Sequence, residues 1–143
     1  MRSLSFSIIF LVFLVACSSQ ISSSPFVEFN NSKFFVEIAD EPREWQTGLM
    51  FVENLPKNEG MLFIFNDSAP RTFWMKNTLI PLDMIFIDEN FVVVDVKENV
   101  PPCESDPCQT YPSEKSPKFV LELNAGSVKE NNISVGAVMR MTR

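Results

Sequence analysis

No histidine occurs in the 143-residue chain. That absence removes Ser-His-Asp triads, His-ligated zinc and imidazole general bases together. Glycine is nearly as scarce, with only 4 residues, so phosphate loops built from glycine have little material. Basic charge is short as well. Lys and Arg number 12 against 18 Asp and Glu, the net charge is -6, and no Lys/Arg cluster occurs. A nucleic-acid binder needs a basic face, so no nucleic acid is expected as a partner.

What is present is apolar and rich in phenylalanine. Hydrophobic residues make up 45% of the chain and Phe occurs 14 times, enough for a core of one domain. The N-terminus "MRSLSFSIIFLVFLVAC" has one basic residue, Arg2, then an apolar run from Phe6 to Ala16. The run is short for a bilayer span and suits the h-region of an export signal. It ends in Leu14-Val15-Ala16-Cys17, which resembles the lipobox of bacterial lipoproteins, where lipid is attached to the cysteine after cleavage. The alternative is an ordinary signal, or an uncleaved anchor, with an incidental cysteine. The expected organisation is a signal peptide over 1–16, a Ser-rich tether over 17–25 and one β-rich domain over 26–143. The protein is then exported and held at the cell envelope by lipid on Cys17. Cleavage removes Arg2 and leaves the remainder still more acidic, so lipid rather than charge has to supply the anchoring.

Cys103 and Cys108 remain, in "PPCESDPCQTYP". In an exported chain a disulfide between them is the default. The spacing differs from the C-x-x-C of redox motifs, and two thiolates without histidine make an incomplete zinc site. No metal or cofactor is expected.

The pattern along the chain is one of strands. In "KFFVEIA", Phe34, Val36 and Ile38 share one face. "DEPREWQTGLM" breaks the alternation, and Asp40 is a candidate cap for a short helix from Pro42 to about Leu49. "GMLFIF" is apolar on both sides and reads as a buried strand. "RTFWM" and "LDMIFID" read as two core strands joined through "KNTLIP". Asp88-Glu89-Asn90 turns into "FVVVDVKE" as a hairpin. Residues 99–118 hold five prolines and both late cysteines, which suits a long stapled loop. "FVLELN" places Phe119, Leu121 and Leu123 inward. "AGSVKENN" reads as a short helix and "ISVGAVMRMT" as a closing turn and strand. The expected fold is mostly β (a β-rich α+β domain), a small single-domain barrel or half-sandwich with one or two short helices.

Taken in order, "VEIADEPREWQTGLM", "GMLFIF", "RTFWMKNTLIPLDMIFID", "NVPPCESDPCQTYP" and "VLELNAGSVKENNISVG" resemble one family of small bacterial and archaeal proteins, domain of unknown function one-hundred-and-ninety-two. The resemblance covers nearly all of residues 33–142. It implies a compact, strand-rich, often exported domain without an established activity. One departure is visible: three positions before Gly48, where the family pattern suggests a basic residue, this chain has Trp45.

Chemistry-bearing residues gather in "RTFWMKNTLIPLD". Strand parity sets Arg71, Phe73 and Met75 against Thr72, Trp74 and Lys76. As an enzyme, the chain would use Arg71, Lys76, Asn77 and Asp83 on an anionic or amide substrate, with Asp83 as base. The structural alternative pairs Lys76 with Asp83 as a strut and leaves Asn77 to shape the turn. A soft-metal reading, Cu(I) on Met and Trp, meets the objection that methionine is more often packing filler. As a binding module, the chain would offer Trp74, with Thr72 and Lys76 on its face, to an envelope small molecule, glycan or peptide. That reading needs the indole ring open to solvent, whereas the structural alternative is a Trp half-covered by the 99–118 loop, with Lys76 lying over its ring as a cation–π contact. The binding or structural module is the favoured expectation.

Overall fold

The computed structural model describes residues 24–142. The expected export signal and Cys17 lie outside these residues. Among the described residues no helix is long and apolar enough to cross a membrane.

The chain is mostly strand. β1 (Phe26–Phe29) and β2 (Ser32–Ala39) form an antiparallel hairpin. The first strand was not legible in the alternation, because "FVEF" is too short to show a period. α1 (Pro42–Thr47) follows, with proline in its first turn and Glu41, not Asp40, at the N-cap. The Glu44 carboxylate reaches back and accepts the backbone N–H groups of Asp40 at 2.9 Å and Glu41 at 3.0 Å. That satisfies donors a helix end leaves open. β3 (Glu59–Ile64) then runs parallel to β2.

β5 (Leu82–Ile87) and β6 (Val93–Val100) make the expected hairpin, with Asp88 Oδ1 accepting the N–H groups of Asn90 and Val92 at 2.9 Å each. β8 (Phe119–Asn124), α2 (Ser127–Glu130) and β9 (Met139–Thr142) complete the chain. The main sheet has seven strands in the order β6-β5-β8-β3-β2-β1-β9. It curls into a half-barrel, and its two edges are joined at one end by an antiparallel bridge between Val92 and Val138.

"RTFWM" was expected to be a core strand. Only β4 (Thr72–Trp74) is extended, and it lies outside the main sheet, in a two-stranded ribbon with β7 (Thr110–Pro112). The loop over 99–118 therefore contains a strand that its prolines concealed. A Cys103–Cys108 disulfide staples the loop. The buried Asp95 carboxylate fastens it further by accepting the N–H of Glu114 at 3.1 Å.

The strands of the sheet's centre are buried on both faces, which separates two apolar layers. Inside the curl, Phe29, Phe34, Leu62, Ile85, Leu121 and Met139 meet Val128 of α2. On the outer face, Met61, Phe63, Met84, Phe86 and Val120 are covered by Leu49, Met75, Trp45 and Phe73 from α1, its following turn and β4. Phe73 is the centre of this second layer, edge-on to Phe63, Phe86 and Phe65 at centroid distances of 5.2, 5.9 and 6.5 Å. Edge-to-face rings at these distances are attractive beyond their burial.

Candidate functional site

Parity decides where each chemical group of the "RTFWMKNTLIPLD" stretch goes. Within β4, Phe73 turns to the outer core layer while Thr72 and Trp74 turn to solvent, with Trp74 48% exposed. The Lys76 ammonium lies 5.7 Å from the centre of the Trp74 ring. It is also held by the Asp106 carboxylate of the stapled loop, at 3.2 Å, rather than by Asp83. Asn77 adopts a left-handed turn conformation, φ 56°, which asparagine tolerates. Its carbonyl accepts the N–H of Phe51 at 2.8 Å.

Asp83 is fully buried and belongs to the opposite side of the sheet, in phase with Ile85 and Ile87 of the inner layer. Its carboxylate accepts two backbone N–H groups at 2.8 Å: Asn99, next to a register shift between β5 and β6, and Val128, in the first turn of α2. The α2 N-cap is Gly126, which has no side chain to cap with, so Asp83 supplies the acceptor from another strand. The proposed Lys76–Asp83 strut is thus replaced by two separate devices. Asp83 as a base beside Lys76 does not fit either, because the sheet stands between them.

Arg71 stands at the other end of β4. Its guanidinium lies over the Phe65 ring at 4.1 Å and donates to the Asp67 carboxylate and to the Asp67 carbonyl, the latter at 2.7 Å. The hydrogen bond and charge of Arg71 hold the Asp67 carboxyl below its ordinary range. Of the expected ligand residues, Arg71, Thr72 and Trp74 border one hollow and Trp74 and Lys76 border a second. Asn77 and Asp83 line neither. The soft-metal pair is divided too, since Met75 is buried in the outer core layer and Trp74 faces solvent.

The second hollow contains the group that sequence reading missed. Glu122 is in β8, in phase with Val120 of the outer layer and in register with Met61 of β3 and Met84 of β5. It is only 4% exposed. Its carboxyl borders a chamber of about 30 Å³, walled by Phe63, Phe73, Trp74, Met50 and Thr78 and roofed by the turn over Gln46–Leu49. Among the described residues it forms no hydrogen bond or ion pair. Burial among apolar neighbours pushes its pKa from 4.5 up to about 8, so it carries a proton at neutral pH.

Gly48 shapes the chamber. It has φ 47°, and a β-carbon there would come 3.1 Å from Phe63 Cζ and 3.9 Å from Glu122 Oε2. Trp45 anchors the roof: its indole N–H donates to the Ala39 carbonyl at 3.0 Å and its ring leans on Phe65 at 5.1 Å. The residue that departs from the expected basic position therefore serves as a clamp between α1 and the sheet.

The sequence profile of DUF192, described as Uncharacterized ACR, matches residues 26–141. The chain belongs to the DUF192 family. Two crystal structures share the fold seen here. One, from Sinorhizobium meliloti 1021 and described as a candidate transcription regulator, is 33% identical with a TM-score of 0.75, over 82% of this chain and 91% of its own. The other, a protein of unknown function from Novosphingobium aromaticivorans DSM 12444, is 32% identical with a TM-score of 0.75, over 80% of this chain and 83% of its own. No curated protein matches this DUF192 chain.

Proposed function

We propose that the protein is an envelope-anchored binding module whose ligand, a small molecule, glycan or peptide, lies against Trp74 and reaches toward Glu122. The observation that carries this reading is the exposure of Trp74. An indole that served only as core would be covered, yet Trp74 is nearly half exposed and borders a chamber with an unpartnered carboxyl. Ligand sites combine apolar walls with a few convergent polar groups in this manner. The hollow bordered by Arg71 and Thr72 shares Trp45, Gln46, Phe73 and Trp74 with the chamber, which gives an extended ligand a path across both sides of the ring. The anchoring half of the proposal rests on the lipobox-like Leu14-Val15-Ala16-Cys17.

The binding half is tested by NMR on the full mature chain with a panel of envelope sugars and short peptides. At least one probe is expected to move the Trp74 and Trp45 indole signals, and Trp74→Ala is expected to abolish the effect. Silence from every probe, or shifts that survive Trp74→Ala, contradicts the reading. Anchoring is tested by Cys17→Ser, which is expected to lose lipid and membrane association. A variant that matures and sediments with membranes like wild type contradicts it.

A further inference from the structure

We infer that the inner chamber is a recognition site for a primary ammonium group on an unbranched apolar stem, with Glu122 as the counter-charge. This inference rests on the Trp74 binding reading and names the chemistry of its ligand.

Three features of the chamber select that group. The first is the carboxyl itself, almost completely buried, without a partner among the described residues, and bordering the chamber. A carboxyl nearly buried without a protein hydrogen bond costs folding free energy, and a ligand entering the cleft completes it. The second is the wall. Phe63, Phe73 and Trp74 make the wall apolar and aromatic, which suits the stem that carries the charge. The third is size. The cleft offers about 30 Å³ beside the carboxyl, which is room for a small polar head group. Gly48 keeps that space free, since a methyl there would press on Phe63 and approach Glu122 Oε2.

The electrostatic surroundings permit the charge. Met61 and Met84, the register neighbours of Glu122 on β3 and β5, are uncharged, as are the lining residues of α1, its following turn and β4. Lys76 is the one charged residue among the other lining residues. Its ammonium is directed to Asp106 at 3.2 Å and lies over the Trp74 ring. Met50, half-buried, also lines the chamber and suits an apolar stem.

Binding has a proton balance. At neutral pH Glu122 is protonated, because its pKa is pushed up to about 8. An entering ammonium favours the carboxylate, so the Glu122 proton leaves to bulk solvent and an N–H···O hydrogen bond between opposite charges takes its place. The affinity for an ammonium therefore rises with pH up to the carboxyl's own pKa.

The experiment is calorimetric titration of the full mature chain in two buffers of different ionisation enthalpy, with pentylammonium, pentanol and pentanoate as matched probes. Nα-acetyl-lysine N-methylamide, which carries the same kind of stem on a peptide unit, is the fourth arm. The inference expects pentylammonium to bind with release of close to one proton at pH 6.5 and almost none at pH 9.5. It expects Glu122→Gln to weaken that binding about tenfold or more and to abolish the proton release. Tighter binding of the lysine amide than of pentylammonium assigns the ammonium to a peptide, and equal or weaker binding assigns it to a free amine. If pentanol or pentanoate binds the cleft and pentylammonium does not, the ammonium inference falls while the Trp74 reading stands. Pentylammonium binding that is unchanged in Glu122→Gln, or occurs without proton release at pH 6.5, also overturns it. No binding by any of the four probes, together with silent indole signals, overturns both. Indole and amide spectra of Glu122→Gln establish that the variant keeps the fold.

Discussion

Glu122 and Gly48 share one small space: Oε2 of the carboxyl lies 3.9 Å from the point that a β-carbon on Gly48 would occupy. The backbone of Gly48 sits at φ 47°, where any other residue is strained, and Phe63 stands 3.1 Å from the same point. Gly48→Ala is expected to destabilise the fold by about 1–3 kcal/mol. It should also move the Phe63 ring signals. Urea unfolding with NMR of the variant checks both, and wild-type stability with unmoved ring signals contradicts the account of the roof.

The second prediction concerns pH. Glu122 has its pKa raised from 4.5 to about 8 in the folded state, so between those values the folded protein holds a proton that the unfolded chain has released. Stability is then fully present below about pH 4.5 and falls as pH rises toward 8. The loss is up to about 5 kcal/mol from this group alone. With no histidine in the chain, no other side chain of ordinary pKa titrates across that window. Thermal unfolding from pH 5 to pH 8.5 should show this fall in wild type and a flat profile in Glu122→Gln. Parallel profiles contradict it.

Asp83 tests architecture rather than ligand binding. Its two acceptor oxygens satisfy Asn99 and Val128, and both donors are stranded by Asp83→Ala. A cost of about 2–5 kcal/mol is expected. Hydrogen exchange should accelerate first at Val128, because α2 loses the cap that Asp83 supplies. A loss below about 1 kcal/mol contradicts the capping role.

Phe73 and Trp74 are neighbours with opposite duties. Phe73→Ala removes the centre of an edge-to-face cluster and is expected to cost about 3–5 kcal/mol. Trp74→Ala removes a half-open ring and should cost about 1 kcal/mol or less, because so much of that surface is already in water. Denaturant unfolding of the pair decides. Equal costs would mean that Trp74 is a core residue.

Much of the fold was legible because the core strands carry their period openly. β2 alternates, and the flanks of β3 and β5 are apolar on both sides, so their burial follows. The site was less legible. Asp83 was recognisable as a buried polar group, but its partners are backbone N–H groups from segments 16 and 45 residues away, which no local pattern encodes. Glu122 was missed for a different reason. In "FVLELN" the glutamate alternates with leucines and reads as the solvent side of a half-buried strand. β8 is inserted between β3 and β5, whose two faces are both apolar, and strand order turns that apparent solvent side into a second core. Lys76 found its partner across 30 residues because the stapled loop folds back over β4.

The most direct test of the whole account is the titration of the Glu122 side-chain carboxyl itself, followed by ¹³C NMR on the full mature chain. The account predicts a midpoint near 8, moving to lower pH when a cationic ligand occupies the chamber. A midpoint near the ordinary 4.5 would mean that the carboxyl is solvated or already paired, and would contradict the unpartnered acid on which the cleft's chemistry depends.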